Sequence, residues 1–242
     1  MQYAEFEQFF ITSCQTNRLQ PPTDKQIETF YRFTEHLMDV NKTTNLTAIR
    51  EIPAVIAKHY VDSLLASEHI PQNARVLDIG CGPGFPSIPL AITRPDLQIT
   101  ALDSTQKKIH FVQESADLLN LSNLSAISAR AEDHDLMKKL GKFDVVISRA
   151  VARLNMLCEL ALPYVEVGKI MLAMKAAKAD EELTAATKAI KTLGGEVKAL
   201  HNKQFSNEAG EPEERCIIEI AKIAPSPSIY PRPYATIKKK EL

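Results

Sequence analysis

Three of the chain's eight glycines fall within five residues, at Gly80, Gly82 and Gly84. They follow the apolar run Val76-Leu77-Asp78-Ile79 and precede Phe85-Pro86-Ser87. In a glycine-poor chain, such a cluster marks backbone that must adopt conformations closed to other residues. The run before it is short and apolar on consecutive positions, which predicts a strand buried on both faces. Pro86 and Pro89 then fall in a first helical turn, where lost N–H donors matter little. Strand, glycine turn and helix in this order form the first ligand-binding unit of a doubly wound sheet. The helix N-terminus there favours a carboxylate or phosphate.

The rest of the chain fits that architecture. Residues 1–70 carry no strand signal and read as an N-terminal helical extension. Tyr3–Cys14 is amphipathic, and Thr23 with Gln26 three residues on forms a capping box. Asn41–Thr47 is polar and loop-like, and Val55–Leu65 resumes the helix. From residue 71, strands at Val76–Ile79, Leu97–Leu102, Leu124–Ser128, Phe143–Ser148 and Lys169–Met174 alternate with helical stretches. Glu196–Phe205 and Arg215–Ile223 have no helix between them and should form an antiparallel edge hairpin around an acidic loop. The fold class is therefore α/β, a Rossmann-like, mostly parallel sheet over 71–223. Residues 224–242 form a basic, proline-rich tail expected to be extended.

Asp103 closes the second strand 23 residues past Gly80, where an acidic side chain takes both ribose hydroxyls. This pairing points to an adenosine-containing cofactor. The spacing is GxGxG rather than the dinucleotide GxGxxG, and Asp78 lies within the strand. The combination resembles S-adenosyl-L-methionine-dependent methyltransferases more than dehydrogenases.

Further motifs occur in a fixed order. They are Asn45-Leu46-Thr47-Ala48-Ile49, Lys58-His59-Tyr60-Val61-Asp62-Ser63-Leu64 and Gly80–Pro86, then Leu102-Asp103-Ser104 with Lys107-Lys108 and Arg130-Ala131-Glu132-Asp133. Ser148-Arg149-Ala150-Val151-Ala152, Lys175 and Tyr230-Pro231-Arg232 follow. Together they resemble the 16S ribosomal RNA guanine-N7 methyltransferase family, long called glucose-inhibited division protein B. The chain departs from the family pattern at Val40, Ser87, Lys169 and Ala176. The resemblance implies methyl transfer from S-adenosyl-L-methionine to N7 of a guanine in the 530 loop of 16S rRNA, in a bacterial cytoplasm. It implies 16S rRNA or the small ribosomal subunit as partner, no metal, no membrane and a monomer. It also implies cofactor binding by Asp78, Gly80, Gly82, Gly84, Phe85, Asp103, Ala131, Glu132 and Arg149, and catalysis by Arg149, Lys175 and Arg215.

The chemistry asks little of side chains. Guanine N7 has an in-plane lone pair and no proton, so no general base is obligatory and alignment dominates. Neither an Asn/Asp-Pro-Pro-aromatic motif nor a Pro-Cys nucleophile is present. An arginine after the fourth strand suits cofactor, phosphate or guanine O6.

Composition sets limits. With 29 basic and 30 acidic groups, the chain is not a broad coater of nucleic acid, so RNA must meet a local patch. The expected patch is Arg149, Lys175 and Arg215, helped by Arg232 and Lys238–Lys240. Four scattered cysteines argue for a reducing compartment and against zinc. Met1–Thr12 lacks the pattern of a secretory signal. His59 reads as a structural histidine, Glu132–Asp135 as an exposed acidic loop, and Lys107-Lys108 as a solvated helix face. A small-molecule methyltransferase, or a module that holds the cofactor without turnover, remains open on residues alone.

Overall fold

The computed structural model describes residues 1–149, 152–176 and 179–242. A seven-stranded sheet forms its centre, in the order β3-β2-β1-β4-β5-β7-β6. The parallel strands are β1 (Arg75–Ile79), β2 (Gln98–Asp103), β3 (Leu124–Ser128), β4 (Phe143–Arg149) and β5 (Val165–Lys175). Strand β7 (Pro212–Lys222) runs antiparallel to both β5 and β6 (Gly195–Ser206). The terminal hairpin expected at one edge is therefore present.

Alternation along each strand divides the core between the two faces. Val76, Ile99, Val145, Ile147 and Leu172 belong to one buried cluster, and Leu77, Ile79, Val146, Met171 and Ala173 to the other. On the first face lie α5 (Ser87–Thr93), α6 (Gln106–Leu119) and the leader. The leader comprises α1 (Tyr3–Thr16), α2 (Asp24–Thr44), α3 (Ile52–Val55), a π-helical stretch (Ile56–Val61) and α4 (Asp62–Leu64). Its aromatic side chains interlock: Phe10 meets Phe30 at 4.9 Å, Phe30 meets Tyr60 at 4.9 Å, and Phe33 meets Phe85 at 6.0 Å. The leader thus packs directly beneath the glycine loop. The opposite face carries α7 (His134–Leu140), α8 (Leu154–Ala161), α9 (Ala179–Thr192) and a tail helix, α10 (Tyr234–Lys239).

Three local expectations change. Helix α2 continues through Asn41, which is buried; its Oδ1 accepts from the Leu46 and Thr47 amides at 2.7 and 3.0 Å. A side chain that wraps the following loop this way reads as polar loop in sequence but is interior in space. The acidic run Glu132–Asp135 is not simply a loop. Asp133 Oδ1 accepts from the Asp135 and Leu136 amides and caps α7. The tail is not merely extended: Ile237 is fully buried and Arg232 binds the buried Glu159.

Candidate active site

The sheet order reverses between β1 and β4, and there the loops at the strand carboxyl ends open into a crevice. Gly80, Gly82 and Gly84 all have positive φ, at 71°, 55° and 95°. The turn bends back onto β2: the Gly80 and Cys81 amides donate to the Leu102 carbonyl, and the Gly82 amide donates to Asp103 Oδ2 at 3.0 Å. Asp103 Oδ1 accepts from the Thr105 amide at 2.8 Å. Asp103 is therefore rigidly aimed, and each of its oxygens keeps a lone pair for a ribose hydroxyl. Beside it lies a cavity of about 240 Å³ bordered by Gly80, Asp103, Ala131, Glu132, Leu160 and Tyr234. Tyr164 steadies the Ala131 carbonyl at 2.9 Å.

Two further observations concern the turn beside this crevice. A Cβ built on Gly82 meets nothing within 4 Å, so the turn faces open space. Asp78 is fully buried; Ser87 donates to its Oδ2, while Oδ1 has no partner. Burial pushes the Asp78 carboxyl up to about 7. The ribose hydroxyls of S-adenosyl-L-methionine match the Asp103 oxygens that border the crevice.

A second, larger cavity of about 560 Å³ is lined by Lys58, His59, Asp62, Arg149, Lys175 and Arg215. Asp62 organises it. Its Oδ2 accepts from Arg149 Nη1 at 2.8 Å, and its Oδ1 accepts from Arg215 Nε at 2.6 Å. One carboxylate from the leader thus joins the end of β4 to β7. Arg149 also donates to the Lys58 carbonyl at 2.8 Å and to His59 Nδ1 at 3.2 Å. A guanidinium only donates, so His59 Nδ1 must accept and Nε2 must carry the ring proton. Nε2 then donates to Thr47 Oγ1 at 2.9 Å. Burial and the neighbouring Arg149 charge push the His59 pKa down to about 3. The ring stacks on Phe85 at 4.2 Å and 12°. His59 is the structural histidine the sequence implied.

The remaining candidates fall into place unevenly. Phe85 is only 3% exposed and borders neither cavity; it lies beneath His59 and Arg149 of the larger one. Lys175 donates to the Ala152 carbonyl and pairs with Glu182 at 2.8 Å. Lys58 is held by Glu208 of the hairpin loop at 3.0 Å and Arg215 by Glu213 at 2.8 Å; Glu213 and Glu214, expected in the acidic loop, stand in β7, which begins at Pro212. Arg232 lies apart from this group, on Glu159. Ala150 and Val151 of the Ser148–Ala152 motif lie outside the described residues. Reading by residue type missed Asp62 as the organiser. The available signal was its place three residues after His59, on one helical face.

Comparison with known proteins agrees with this geometry. Residues 26–209 match the family described as rRNA small subunit methyltransferase G. The chain is 43% identical over 224 residues to "Ribosomal RNA small subunit methyltransferase G" of Brevibacillus brevis, covering 91% of this chain and 92% of that one. It is 40% identical over 220 residues to the protein of the same name from Bacillus licheniformis, covering 90% and 91%. The precorrin-6y C5,15-methyltransferase of Geobacter metallireducens shares the fold, with a TM-score of 0.51, 18% identity, and coverage of 75% of this chain and 92% of that one. The ribosomal protein L11 methylase of Lactobacillus delbrueckii does so with a TM-score of 0.50, 14% identity, and coverage of 69% and 79%. Rossmann-like sheet, acceptor-lined crevice and matched family together place this chain in the rRNA small subunit methyltransferase G family, as an S-adenosyl-L-methionine-dependent methyltransferase of small-subunit ribosomal RNA.

Proposed function

We propose that the enzyme methylates N7 of a guanine in the 530 loop of 16S rRNA, acting as a cytoplasmic monomer without a metal. Gly80, Asp103, Ala131 and Glu132 hold S-adenosyl-L-methionine in the 240 Å³ crevice, with Gly82, Gly84 and Asp78 shaping the turn beside it. Arg149, Lys175 and Arg215 frame the neighbouring cavity for the guanine, with Phe85 supporting them from beneath.

The cofactor supplies a sulfonium-activated methyl group. A guanine N7 would present an in-plane lone pair and no proton to that methyl group, so the residues around it would have a base to orient rather than a proton to take. No proton has to leave. The observation that carries this reading is the state of His59. Both ring nitrogens are engaged and its pKa lies near 3, so it is a poor base at neutral pH. A nucleophile that arrives without a proton asks nothing of such a histidine. What the side chains contribute is alignment: Asp62 fixes the two arginine forks, whose planar donors suit guanine O6 and phosphate.

Incubating small-subunit RNA from cells lacking this activity with methyl-labelled cofactor tests the proposal. Label is expected at one 530-loop guanine, with chain cleavage there after borohydride and aniline treatment. Label at an exocyclic amine, or outside that loop, overturns it.

A further inference from the structure

The tail is anchored far more firmly than a solubilising extension requires. Glu159 in α8 is fully buried, and Arg232 meets it with Nε at 2.7 Å, Nη2 at 2.6 Å and its own amide at 3.0 Å. Arg232 Nη2 also donates to the Lys240 carbonyl at 3.0 Å, closing α10 back on its start. Ile237 is fully buried in the core cluster of that face, and His134 Nε2 meets the Pro231 carbonyl at 2.9 Å. A carboxylate so buried is tolerable only while its partner stays, so these contacts hold the segment in one place.

Tyr234 is what that anchoring positions. It stands two residues after Arg232, opens α10, and borders the 240 Å³ crevice together with Asp103, Ala131, Glu132 and Leu160. Yet it is still 36% exposed. Folding alone does not account for a large aromatic ring held at the mouth of an acceptor-lined crevice. Adenine is flat, apolar on its faces and hungry for an aromatic or aliphatic surface, and stacking of a base on a tyrosine is a substantial source of affinity. The crevice already has an apolar contributor in Leu160 and a ribose acceptor in Asp103.

We infer that Tyr234 is a cofactor-binding residue: its ring covers the adenosine half of the cofactor, and the anchored tail is an outer wall of the cofactor site. This rests on the reading of the 240 Å³ crevice as the adenosine site. The tail thereby acts on methyl transfer through the cofactor, rather than through RNA charge alone.

Calorimetry with S-adenosyl-L-homocysteine on the full chain tests the assignment. Tyr234→Ala should weaken binding at least fivefold, the lower end of what base stacking on an aromatic supplies. Tyr234→Phe should bind within twofold of the parent, because the ring face rather than the hydroxyl makes the contact. Tyr234→Leu keeps apolar bulk without the π face, offers a second route should the alanine variant fold poorly, and should also lose affinity. RNA affinity of all three should match the parent. Parental affinity in Tyr234→Ala and Tyr234→Leu, with affinity lost in Asp103→Ala, overturns the role of Tyr234 alone. Parental affinity in Asp103→Ala as well overturns the crevice as the adenosine site. Equal losses in Tyr234→Phe and Tyr234→Ala overturn the ring-face contact.

Discussion

Individual residues here serve backbone geometry and ionisation at once. Gly82 illustrates the first. Its φ of 55° sits in the left-handed region, and a Cβ there points into open space. Gly82→Val should therefore fold, at a cost of about 1–2 kcal/mol of backbone strain, while losing cofactor binding because the side chain fills the open space over the turn. Thermal melts and S-adenosyl-L-homocysteine calorimetry check the pair of outcomes; retained binding would show that the glycine serves the turn only. His59 and Asp78 illustrate ionisation. Below about pH 6.5 the unfolded chain protonates His59, whereas the folded chain does not until about pH 3, so this residue removes stability as pH falls. Asp78 acts oppositely: the folded chain takes up its proton near pH 7, the unfolded chain only near 3.8, so it adds stability as pH falls. Between about pH 4 and 6.5 the two slopes cancel. In His59→Gln the Asp78 slope is unmasked. At pH 5 the variant should have gained ~2 kcal/mol on the parent relative to their difference at pH 7.5. Urea titrations at both pH values measure this; parallel pH profiles of parent and variant would refute the neutral His59.

Elements meet at the site through single side chains, which explains both what sequence reading reached and where it stopped. Strand and helix periods, the glycine turn and the Thr23–Gln26 capping box are local signals, and the sheet with its edge hairpin follows from them. The Thr23 amide indeed accepts this arrangement, donating to Gln26 Oε1 at 2.9 Å. Asp103 was legible as well, because strand-end acids recur at a fixed distance from the turn. Asn41, Asp62 and Glu159 were not. Asn41 binds the loop five and six residues on, which polar loop residues alone do not reveal, while Asp62 and Glu159 are polar helical residues whose partners lie far along the chain: Arg215 is 153 residues from Asp62, and Arg232 is 73 from Glu159. Nothing local distinguishes such residues from solvated ones until the fold brings the partners together. Helix α7 was missed because an acidic run hid the Asp133 cap ahead of Leu136, Met137 and Leu140. The Asp62 junction yields a prediction at this scale. Its side chain is 9% exposed, and those of Arg149 and Arg215 are 16% and 17% exposed. Asp62→Ala leaves two arginines side by side without their shared anion, and should cost about 3–5 kcal/mol. RNA methylation should fall with it, while S-adenosyl-L-homocysteine binding stays near parental, since the cofactor crevice lies beyond the junction. Loss of less than 1 kcal/mol in a chemical melt would mean solvent already carries those charges.

For the whole molecule, a net charge of −1 leaves RNA affinity to local arrangement, and the structure changes what that arrangement should look like in a salt titration. The cations around the larger cavity do not wait unpaired for phosphate. Arg149 and Arg215 share Asp62, Arg215 also holds Glu213, Lys175 holds Glu182, and Lys58 holds Glu208. When a phosphate takes one of these cations, it sheds condensed counterions. The displaced carboxylate then collects a cation from solution, and the two effects offset in the salt slope. An exposed lysine brings no resident anion, so a phosphate contact there should show the full slope of about 0.7–0.9 per contact. Lys238, Lys239 and Lys240 are exposed at the end of the chain. The triple variant of Arg149, Lys175 and Arg215 to alanine should therefore lower RNA affinity at every salt concentration, yet flatten the log-affinity against log-salt line by well under the roughly 2–3 expected for three free cations. Replacing Lys238, Lys239 and Lys240 by glutamine should do the reverse, flattening the line while costing little affinity at high salt. Fluorescence titrations of a labelled 530-loop hairpin from low to high salt give both slopes. A full-size flattening from the arginine–lysine–arginine triple would mean that Asp62, Glu182 and Glu213 keep their charge neutralised by other protein groups when RNA is bound, and that the ion pairs seen around the cavity are not what phosphate has to displace.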